Sequence, residues 1–329
     1  MATGLGLAYD VLLTVGVVLL GVGFFWKDRR AHLARAAGWA VFGAFWFLHV
    51  PDYANQEDPL NALGAAAALP VFLFLAHHER LSYRWREEYE PLRFACGAAF
   101  FASAVYFVFA RIPELAAVLI QVVADHTVGI LNWMGSSGYA FTTFPPTCGA
   151  VPLSQCGDGE AVMVGIFRLP VLGGDDPVVN IVLACTAIQA YAVAASLMLT
   201  TRDPWKKKAL ALAIVVPVTY VMNLVRNVVI IYFFSVRGDP FEIVHNWYGK
   251  TLALAVLLVL IFVAFKLLPE LYLNINGLFE LPWRKRPGHD YKRFVGRLSK
   301  KKPPTPPAGG TGPTRSNSDG SGRTPPSSP

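Results

Sequence analysis

The sequence predicts an all-α integral membrane protein: a bundle of about seven transmembrane helices with the N-terminus outside and the C-terminus in the cytoplasm. The first observation is composition, since 54% of the 329 residues are hydrophobic and mean hydropathy is +0.42, above what soluble chains show. The second is segment length, because a spanning helix needs about 20 mostly apolar residues. Stretches that meet or nearly meet this length lie at about 6–26, 36–51, 60–76, 94–110, 178–200, 209–234 and 246–268.

The third observation is how charge alternates between the segments that join these stretches. Basic segments follow the odd-numbered spans: Lys27, Arg29, Arg30 and Arg35; Arg80, Arg84 and Arg86; Arg202 and Lys206 to Lys208; and Arg284 onward. Acidic or mixed segments follow the even-numbered spans: Asp52, Glu57 and Asp58; Glu114, Asp125 and the acidic residues to Asp176; and Asp239 and Glu242. Because basic loops stay on the cytoplasmic side, all seven spans predict one orientation. The net charge of +7 therefore reflects topology and a basic tail, and we expect no nucleic-acid partner.

The individual stretches differ in how sharply they are bounded. The first is not typical of a cleavable signal peptide, because its positive charges follow the apolar run. The second and third are short and contain Gly, Ala and Pro70, so their limits are loose. The longest interruption, about 111–177, is predicted to lie on the outer side. Its first part, Ile112 to Met134, predicts either an interfacial helix or a short extra span, and its Pro- and Gly-containing second part is expected to be irregular.

The sequence divides into three regions by composition. Residues 1–281 are expected to form the transmembrane domain, which carries all the candidate site residues considered below. Residues 282–302 are densely basic and are expected to lie against anionic head groups as a cytoplasmic juxtamembrane segment. Residues 303–329 are almost entirely Pro, Gly, Ser and Thr and are expected to be disordered.

Two of the four cysteines fall in the same predicted outer region. Cys148 and Cys156 have seven residues between them, so they either form a disulfide or remain two unpaired thiols. Neither the cysteine spacing nor nearby histidines indicate a zinc site, and we expect neither a metal nor a cofactor.

A thiol, a guanidinium and an imidazole come from three consecutive hydrophobic stretches. Cys185 and Arg226 are each expected roughly 10 Å below the outer end of a helical span, and His245 opens the last stretch. An arginine at bilayer depth costs about 2.5–3.5 kcal/mol on insertion scales, so Arg226 should have a partner or a function. The agreement in depth indicates one site.

The chemistry that suits these residue types is nucleophilic catalysis. The thiolate is the reactive form of cysteine, and a neighbouring cation favours it. Cys185 is the candidate nucleophile, Arg226 the candidate stabiliser of a thiolate or oxyanion, and His245 the candidate acid and base. Supporting roles fall to Gln189, Asn223 and Asn227, which would orient these groups.

Other interpretations stay open for each residue. Cys185 alone is more often a packing residue, and His245 alone an interfacial polar residue. Arg226 has a structural alternative, an ion pair with Asp239 or Glu242 from the outer loop. In the competing functional class, a transporter or channel, Arg226 would bind an anionic substrate, and only then would Cys185→Ala be tolerated.

The spacing of these residues resembles the exosortase and archaeosortase family, in particular its archaeosortase branch. The resemblance covers roughly residues 1–270. It rests on Ala184-Cys185-Thr186-Ala187-Ile188-Gln189, on Asn223-Leu-Val-Arg226-Asn227, and on His245.

The resemblance implies a cysteine protease or transpeptidase of the archaeal cell membrane, with its active site toward the extracellular side. Its substrates would be secreted proteins, including S-layer proteins, whose C-terminal sorting region has a Pro-Gly-Phe motif, a membrane helix and a basic end. The enzyme would cleave near the motif and transfer the new C-terminus to a phospholipid amine. The resemblance assigns Cys185 as nucleophile, Arg226 as its partner and His245 as acid-base residue. It also implies a further basic residue, for which Arg237 and Lys250 are candidates.

Overall fold

The structure, a computed structural model, describes residues 2–55, 59–135, 140–149, 151–156, 161–169 and 176–290. Its α-helices are α1 (Ala2–Phe25), α2 (Ala31–Leu48), α3 (Val50–Asn55), α4 (Pro59–Trp85), α5 (Glu90–Arg111), α6 (Pro113–Trp133), α7 (Ile188–Thr200), α8 (Trp205–Ile231), α9 (Phe241–Ile243), α10 (Lys250–Leu267) and α11 (Pro269–Phe279). Its strands are β1 (Ala140–Thr143), β2 (Thr147–Cys148), β3 (Val151–Pro152), β4 (Val162–Leu169) and β5 (Val179–Val182). Two π-helical turns, Tyr232–Val236 and Val244–Gly249, follow α8 and α9.

The mostly helical membrane fold predicted from composition is confirmed. Six helical stretches of the described chain are long and apolar enough to cross a membrane: Ala31–Asn55, Asn61–Trp85, Glu90–Arg111, Pro113–Trp133, Trp205–Val236 and Phe241–Leu267. Shorter apolar stretches lie at Tyr9–Phe25 in α1 and at Ile188–Thr200, which is α7. The last of the six has little of its surface buried within the chain, which suits a helix whose sides meet lipid.

Besides the cluster beneath the sheet described below, the helices pack around two further cores. In the first, α1, α2 and α4 bury Leu20, Trp39 and Phe42. Here Gly38 permits close approach of α1, because a Cβ at this position would lie 2.9 Å from the Leu20 backbone nitrogen. In the second, α5, α7, α8, α10 and α11 surround a cluster that includes Ala211 and Leu260.

A small antiparallel sheet occupies much of the segment expected to be irregular. Strand β4 is its centre: β1 and β2 pair with successive parts of one edge, and β5 pairs with the other. Alternate β4 residues Val162, Val164 and Ile166 are buried against α6 and the end of α8. The prediction that this segment is irregular was therefore wrong for the strands. Despite the Pro and Gly residues around it, β4 alternates buried and less buried residues with the period of two that a strand requires.

Residues Cys148 and Cys156 are joined by a disulfide, with their Cα atoms 5.6 Å apart. This resolves the alternative left open by the sequence. The disulfide ties β2 to the turn after β3, and Cys148 is itself buried in the cluster between the sheet and α6.

Helix α6 lies between this sheet and α8. The helix predicted within 112–134 is confirmed, and its inner residues Ile120, Ala124 and Leu131 are fully buried in the same cluster as the sheet. By length and composition, α6 is also one of the helices able to span a membrane.

The fifth predicted span, 178–200, is helical only from Ile188 onward. Residues Val179–Val182 form β5, and Leu183–Thr186 form a 3₁₀ turn. The prediction of one continuous helix was wrong because a short run of apolar residues suits a buried strand as well as a helix. Pairing with β4 decides between them here.

At the end of the bundle where α2 and α5 begin, charged side chains are buried. Arg35 donates to Glu88 at 2.8 Å and 3.0 Å, and Arg284 donates 2.9 Å to Ser82 Oγ. Arg284 is thus inside the protein, unlike the lipid-facing position expected for it, because its guanidinium also lies over the Tyr89 ring at 4.4 Å. The basic residues beyond 290 and the predicted disordered segment lie outside the described residues.

Candidate active site

Cys185 lies on the 3₁₀ turn that connects β5 to α7, and it is half-buried. The Thr186 hydroxyl donates a 2.7 Å hydrogen bond to the Leu183 carbonyl, which closes the turn. Ala187 then takes the left-handed conformation, with φ 59° and ψ 17°, and α7 begins at the next residue. The thiol therefore lies just before the N-terminus of α7. The sequence had predicted it inside a helix, and this prediction was wrong.

Two asparagines of α8 hold this turn through its backbone. Nδ2 of Asn223 donates to the Cys185 carbonyl oxygen at 2.8 Å, and Nδ2 of Asn227 donates to the same oxygen at 3.1 Å. The two asparagines are four residues apart, so they lie on one face of the helix. Both are buried, where a hydrogen bond left unmade is costly.

Arg226 lies between these two asparagines in the sequence of α8. Its Nη1 contacts Asn227 Oδ1 at 3.4 Å. Across from it is Gly249, where a Cβ would lie 3.3 Å from Arg226 Nε and 3.0 Å from Ile230 Cδ1. The second π-helical turn thus approaches the guanidinium closely at a residue without a side chain.

His245 is in the same π-helical turn as Gly249, and its ring stacks on Phe241 with centroids 5.2 Å apart. Its side chain, together with Cys185, Arg226 and Asn227, lines one cavity of about 40 Å³. The structure therefore brings the three sequence-predicted groups to one small space, which holds no more than a few water molecules. A thiol, a guanidinium and an imidazole around one space are the groups that nucleophilic catalysis uses.

Two further candidates, Gln189 and Arg237, do not line this cavity. Gln189 is exposed and lines a different cavity. Arg237 pairs with Asp239, whose Oδ2 is 3.6 Å from Arg237 Nε. The side chain of Lys250 lies outside the described residues.

The structural alternative for Arg226 finds no support in the described chain. Within that part, Arg226 has no carboxylate in salt-bridge range, and Asp239 is already paired with Arg237. An arginine in an apolar helix without a counter-charge is expected to serve a function.

A larger cavity of about 380 Å³ lies between α7, α8 and α10. Arg226 lines it as well, so this residue borders both the small cavity and the large one. A still larger space of about 570 Å³ lies between α1 and α5, and its lining contains none of the candidate residues. Among the residues that the structure describes, no group of three or more His, Cys, Asp or Glu side chains could hold a metal ion.

Sequence reasoning gave no role to Ala187, which it noted only within the family motif, and it did not identify Phe241 or Gly249 as parts of this site. The left-handed residue and the π-helical turns carry no sequence signal that differs from an ordinary helix. In the sequence, a glycine at position 249, just before an apolar run, is the feature that could have indicated close approach of the backbone to another side chain.

Comparison with known proteins gives a consistent result. The family model described as transmembrane exosortase matches residues 10–263. Archaeosortase A of Haloferax volcanii is 26% identical over 231 residues, covering 68% of this chain and 70% of the relative. Archaeosortase A of Natronomonas pharaonis is 23% identical over 285 residues, covering 83% and 82%. No solved structure matches the chain significantly.

Proposed function

Because the chain belongs to the transmembrane exosortase family, we propose that it is a membrane-embedded cysteine transpeptidase that processes exported surface proteins. It cleaves their C-terminal sorting region, of the Pro-Gly-Phe type, and transfers the new C-terminus to a membrane lipid. The observation that carries the proposal is the shared cavity of Cys185, Arg226 and His245. The two archaeosortase A relatives support the same reaction class.

In the first half of the reaction, His245 holds the proton of the Cys185 thiol, and the resulting thiolate attacks the carbonyl carbon of the scissile peptide bond. The negative charge moves to the carbonyl oxygen, where the Arg226 guanidinium stabilises it. The tetrahedral intermediate collapses, the C–N bond breaks, and His245 donates a proton to the leaving amine. The products are a thioester on Cys185 and the released sorting helix.

In the second half, the amine of an acceptor lipid attacks the thioester carbonyl. An amide bond forms, the C–S bond breaks, and Cys185 leaves as a thiolate that Arg226 again stabilises. The excess proton of the attacking amine passes to His245, which restores its starting state. The reaction consumes one lipid amine for each peptide bond that breaks.

The proposal includes the position of the site on the extracellular side. Three features support it: the charge alternation along the sequence, the disulfide Cys148–Cys156, and the continuity of β5 with the turn that bears Cys185. Disulfides form in oxidising compartments, and this one lies in the sheet that leads into the site. Exported substrates arrive on that side.

A reporter tests the proposal. It ends in Pro-Gly-Phe, an apolar helix and a basic tail, and its C-terminal mass is measured after expression with each variant. We expect a shortened, lipid-bearing product with the wild type and with Cys96→Ala, which removes a buried thiol of α5 that packs in the core of α1, α2 and α4. Cys185→Ala should give none, because no other thiol lines the described cavity.

The same experiment separates the enzyme from the transporter. If Cys185→Ala processes the reporter at the wild-type rate, Cys185 is not the nucleophile and the proposal fails. A transporter would tolerate Cys185→Ala and lose function with Arg226→Ala, whereas the enzyme requires both residues.

A further inference from the structure

The cavity of about 380 Å³ beside the site is a groove with a cation at one end. Along α8 it extends from Arg226 to Thr219, and along α10 from Leu252 to Leu260. At a rise of about 1.5 Å per residue, both walls are roughly 10–12 Å long. Arg226 marks the end near Gly249, and the rest of the lining is mostly apolar.

The groove opens toward the lipid side of the bundle. Leu254 and Leu257 line it, yet they are 58% and 51% exposed. They belong to a helical stretch whose surface is largely unburied within the chain. A molecule dissolved in the bilayer can therefore enter from the side without crossing water.

The dimensions of the groove select its occupant. An α-helix with side chains is about 10 Å wide and fills roughly 120 Å³ per residue, so the groove would hold only about three residues of one. A single lipid chain is narrower and follows a 10–12 Å path without difficulty. The volume also lies within the usual range of small-ligand sites, about 300–1,000 Å³.

The charge at its end selects the head group. Arg226 has no carboxylate partner within the described ranges, and guanidinium pairs with phosphate through parallel N–H donors. Chains gain little by moving from bilayer to an apolar groove, since lipid is as apolar as the walls. Recognition must therefore come from Arg226, and the apolar walls only align the chain.

We propose that this groove binds one membrane phospholipid, with its phosphate on Arg226 and one chain between α8 and α10. Because Arg226 also lines the cavity of Cys185, a bound head group lies beside the thiol. That this lipid is the acceptor of the transfer rests on the proposed function, but its binding does not.

The test measures lipids retained by the purified full-length protein, using native mass spectrometry. The protein is released from vesicles that contain equal amounts of phosphatidylethanolamine and diacylglycerol, which has the chains but no phosphate. We expect one phosphatidylethanolamine and no diacylglycerol on the wild type. Inorganic phosphate at millimolar concentration should not displace the lipid, because it lacks the chain that the groove aligns.

Variants locate the site. Ala253→Phe fills the groove and Arg226→Gln removes the charge, and each should lower occupancy about tenfold, which corresponds to about 1.4 kcal/mol. Ala255→Phe adds the same ring on the same helix at an exposed position outside the lining and should retain the lipid. Cys185→Ala should retain it too, so a failure of catalysis is distinguished from a failure of binding.

A photo-reactive amino acid in place of Leu257 identifies the molecule in the groove, even if the Ala253→Phe variant is unstable. Cross-linking to phospholipid supports the proposal. Cross-linking to the reporter's apolar helix instead, equal retention of diacylglycerol, or unchanged occupancy in Arg226→Gln would each overturn it. A wild-type protein that retains no phospholipid but cleaves the reporter normally would overturn the groove alone and leave the thiol chemistry in place.

Discussion

The side-chain amide of Asn223 donates a 2.8 Å hydrogen bond to the backbone carbonyl oxygen of Cys185, across 38 positions of sequence. Asn227 reinforces it at 3.1 Å. The turn that bears the thiol is thereby fixed to α8, which also carries Arg226. The relative position of thiol and guanidinium then depends on one rigid helix and not on a mobile loop, which is the condition for preorganised catalysis.

Asn223→Asp is expected to lower the turnover rate of the reporter about 100-fold, the size of effect that a misplacement of about 1 Å produces. Aspartate has the shape of asparagine but replaces the donor with an acceptor, so it repels the Cys185 carbonyl. Because the change alters position and not binding, KM should change much less. Single-turnover rates measured at several reporter concentrations separate the two.

Val221→Ala is the control, because Val221 is on the same helix and is 54% exposed. It should process the reporter at the wild-type rate. A loss in Asn223→Asp that appears entirely in KM would contradict a positioning role.

The sequence predicted the α8 part of this arrangement but not the turn that bears Cys185, and each outcome has a physical reason. Asn223, Arg226 and Asn227 are grouped by helical spacing alone, and the cost of an arginine at bilayer depth indicated that the helix has a function. The turn at Cys185 could not be predicted in the same way. Its conformation depends on the pairing of β5 with β4. The apolar residues of β5 suit a buried helix as well as a buried strand, so the sequence alone does not predict this pairing.

Ala187 gives a second prediction, because it holds a left-handed conformation directly after the thiol-bearing turn. An L-residue pays about 1–2 kcal/mol for that conformation, whereas glycine pays none but adds about 0.4–1 kcal/mol of unfolded-state entropy. The relief of strain is equal to or larger than the entropy cost, so Ala187→Gly should be as stable as the wild type or more stable by up to about 1 kcal/mol. Its activity should stay within a few-fold of wild type.

Ala187→Val has the opposite expectation. A β-branched residue is a genuine outlier in the left-handed region, so the turn should change conformation and displace Cys185. We expect reporter processing to fall at least about tenfold, measured beside Ala187→Gly at equal expression. Equal activity of the two variants would show that the turn geometry is not required.

Gly249 gives a third prediction, since Arg226 Nε lies only 3.3 Å from where its Cβ would be. In Gly249→Ala both Arg226 and Ile230 must shift by a few tenths of an ångström, which their side chains allow. Stability should stay the same or rise by about 0.5–1 kcal/mol, because alanine is the better helix former. Processing should nevertheless fall by a few-fold, because a shift of a few tenths of an ångström takes up most of the roughly 0.5 Å within which catalytic groups must be held.

Gly129→Ala is the matched control, because Gly129 is in α6 and a Cβ there would meet no atom within 4 Å. It should gain similar stability and keep full activity. If Gly249→Ala is as active as Gly129→Ala, the close approach has no role in placing Arg226.

Glu88 gives a prediction about acid stability that does not involve the active site. Burial favours a raised pKa for Glu88, but the hydrogen bonds and the charge of Arg35 outweigh it and hold that pKa below its usual value of 4.5. The unfolded chain therefore takes up a proton at this carboxyl before the folded protein does, so stability is lost as the pH falls below about 4.5 toward the folded pKa. Glu88→Gln cannot titrate, and its melting temperature should be lower than that of the wild type at pH 7 but should change less between pH 6 and pH 3.5. Parallel curves for the two proteins over this interval would show that the pair with Arg35 does not contribute to acid sensitivity, and that other carboxylates cause whatever loss is seen.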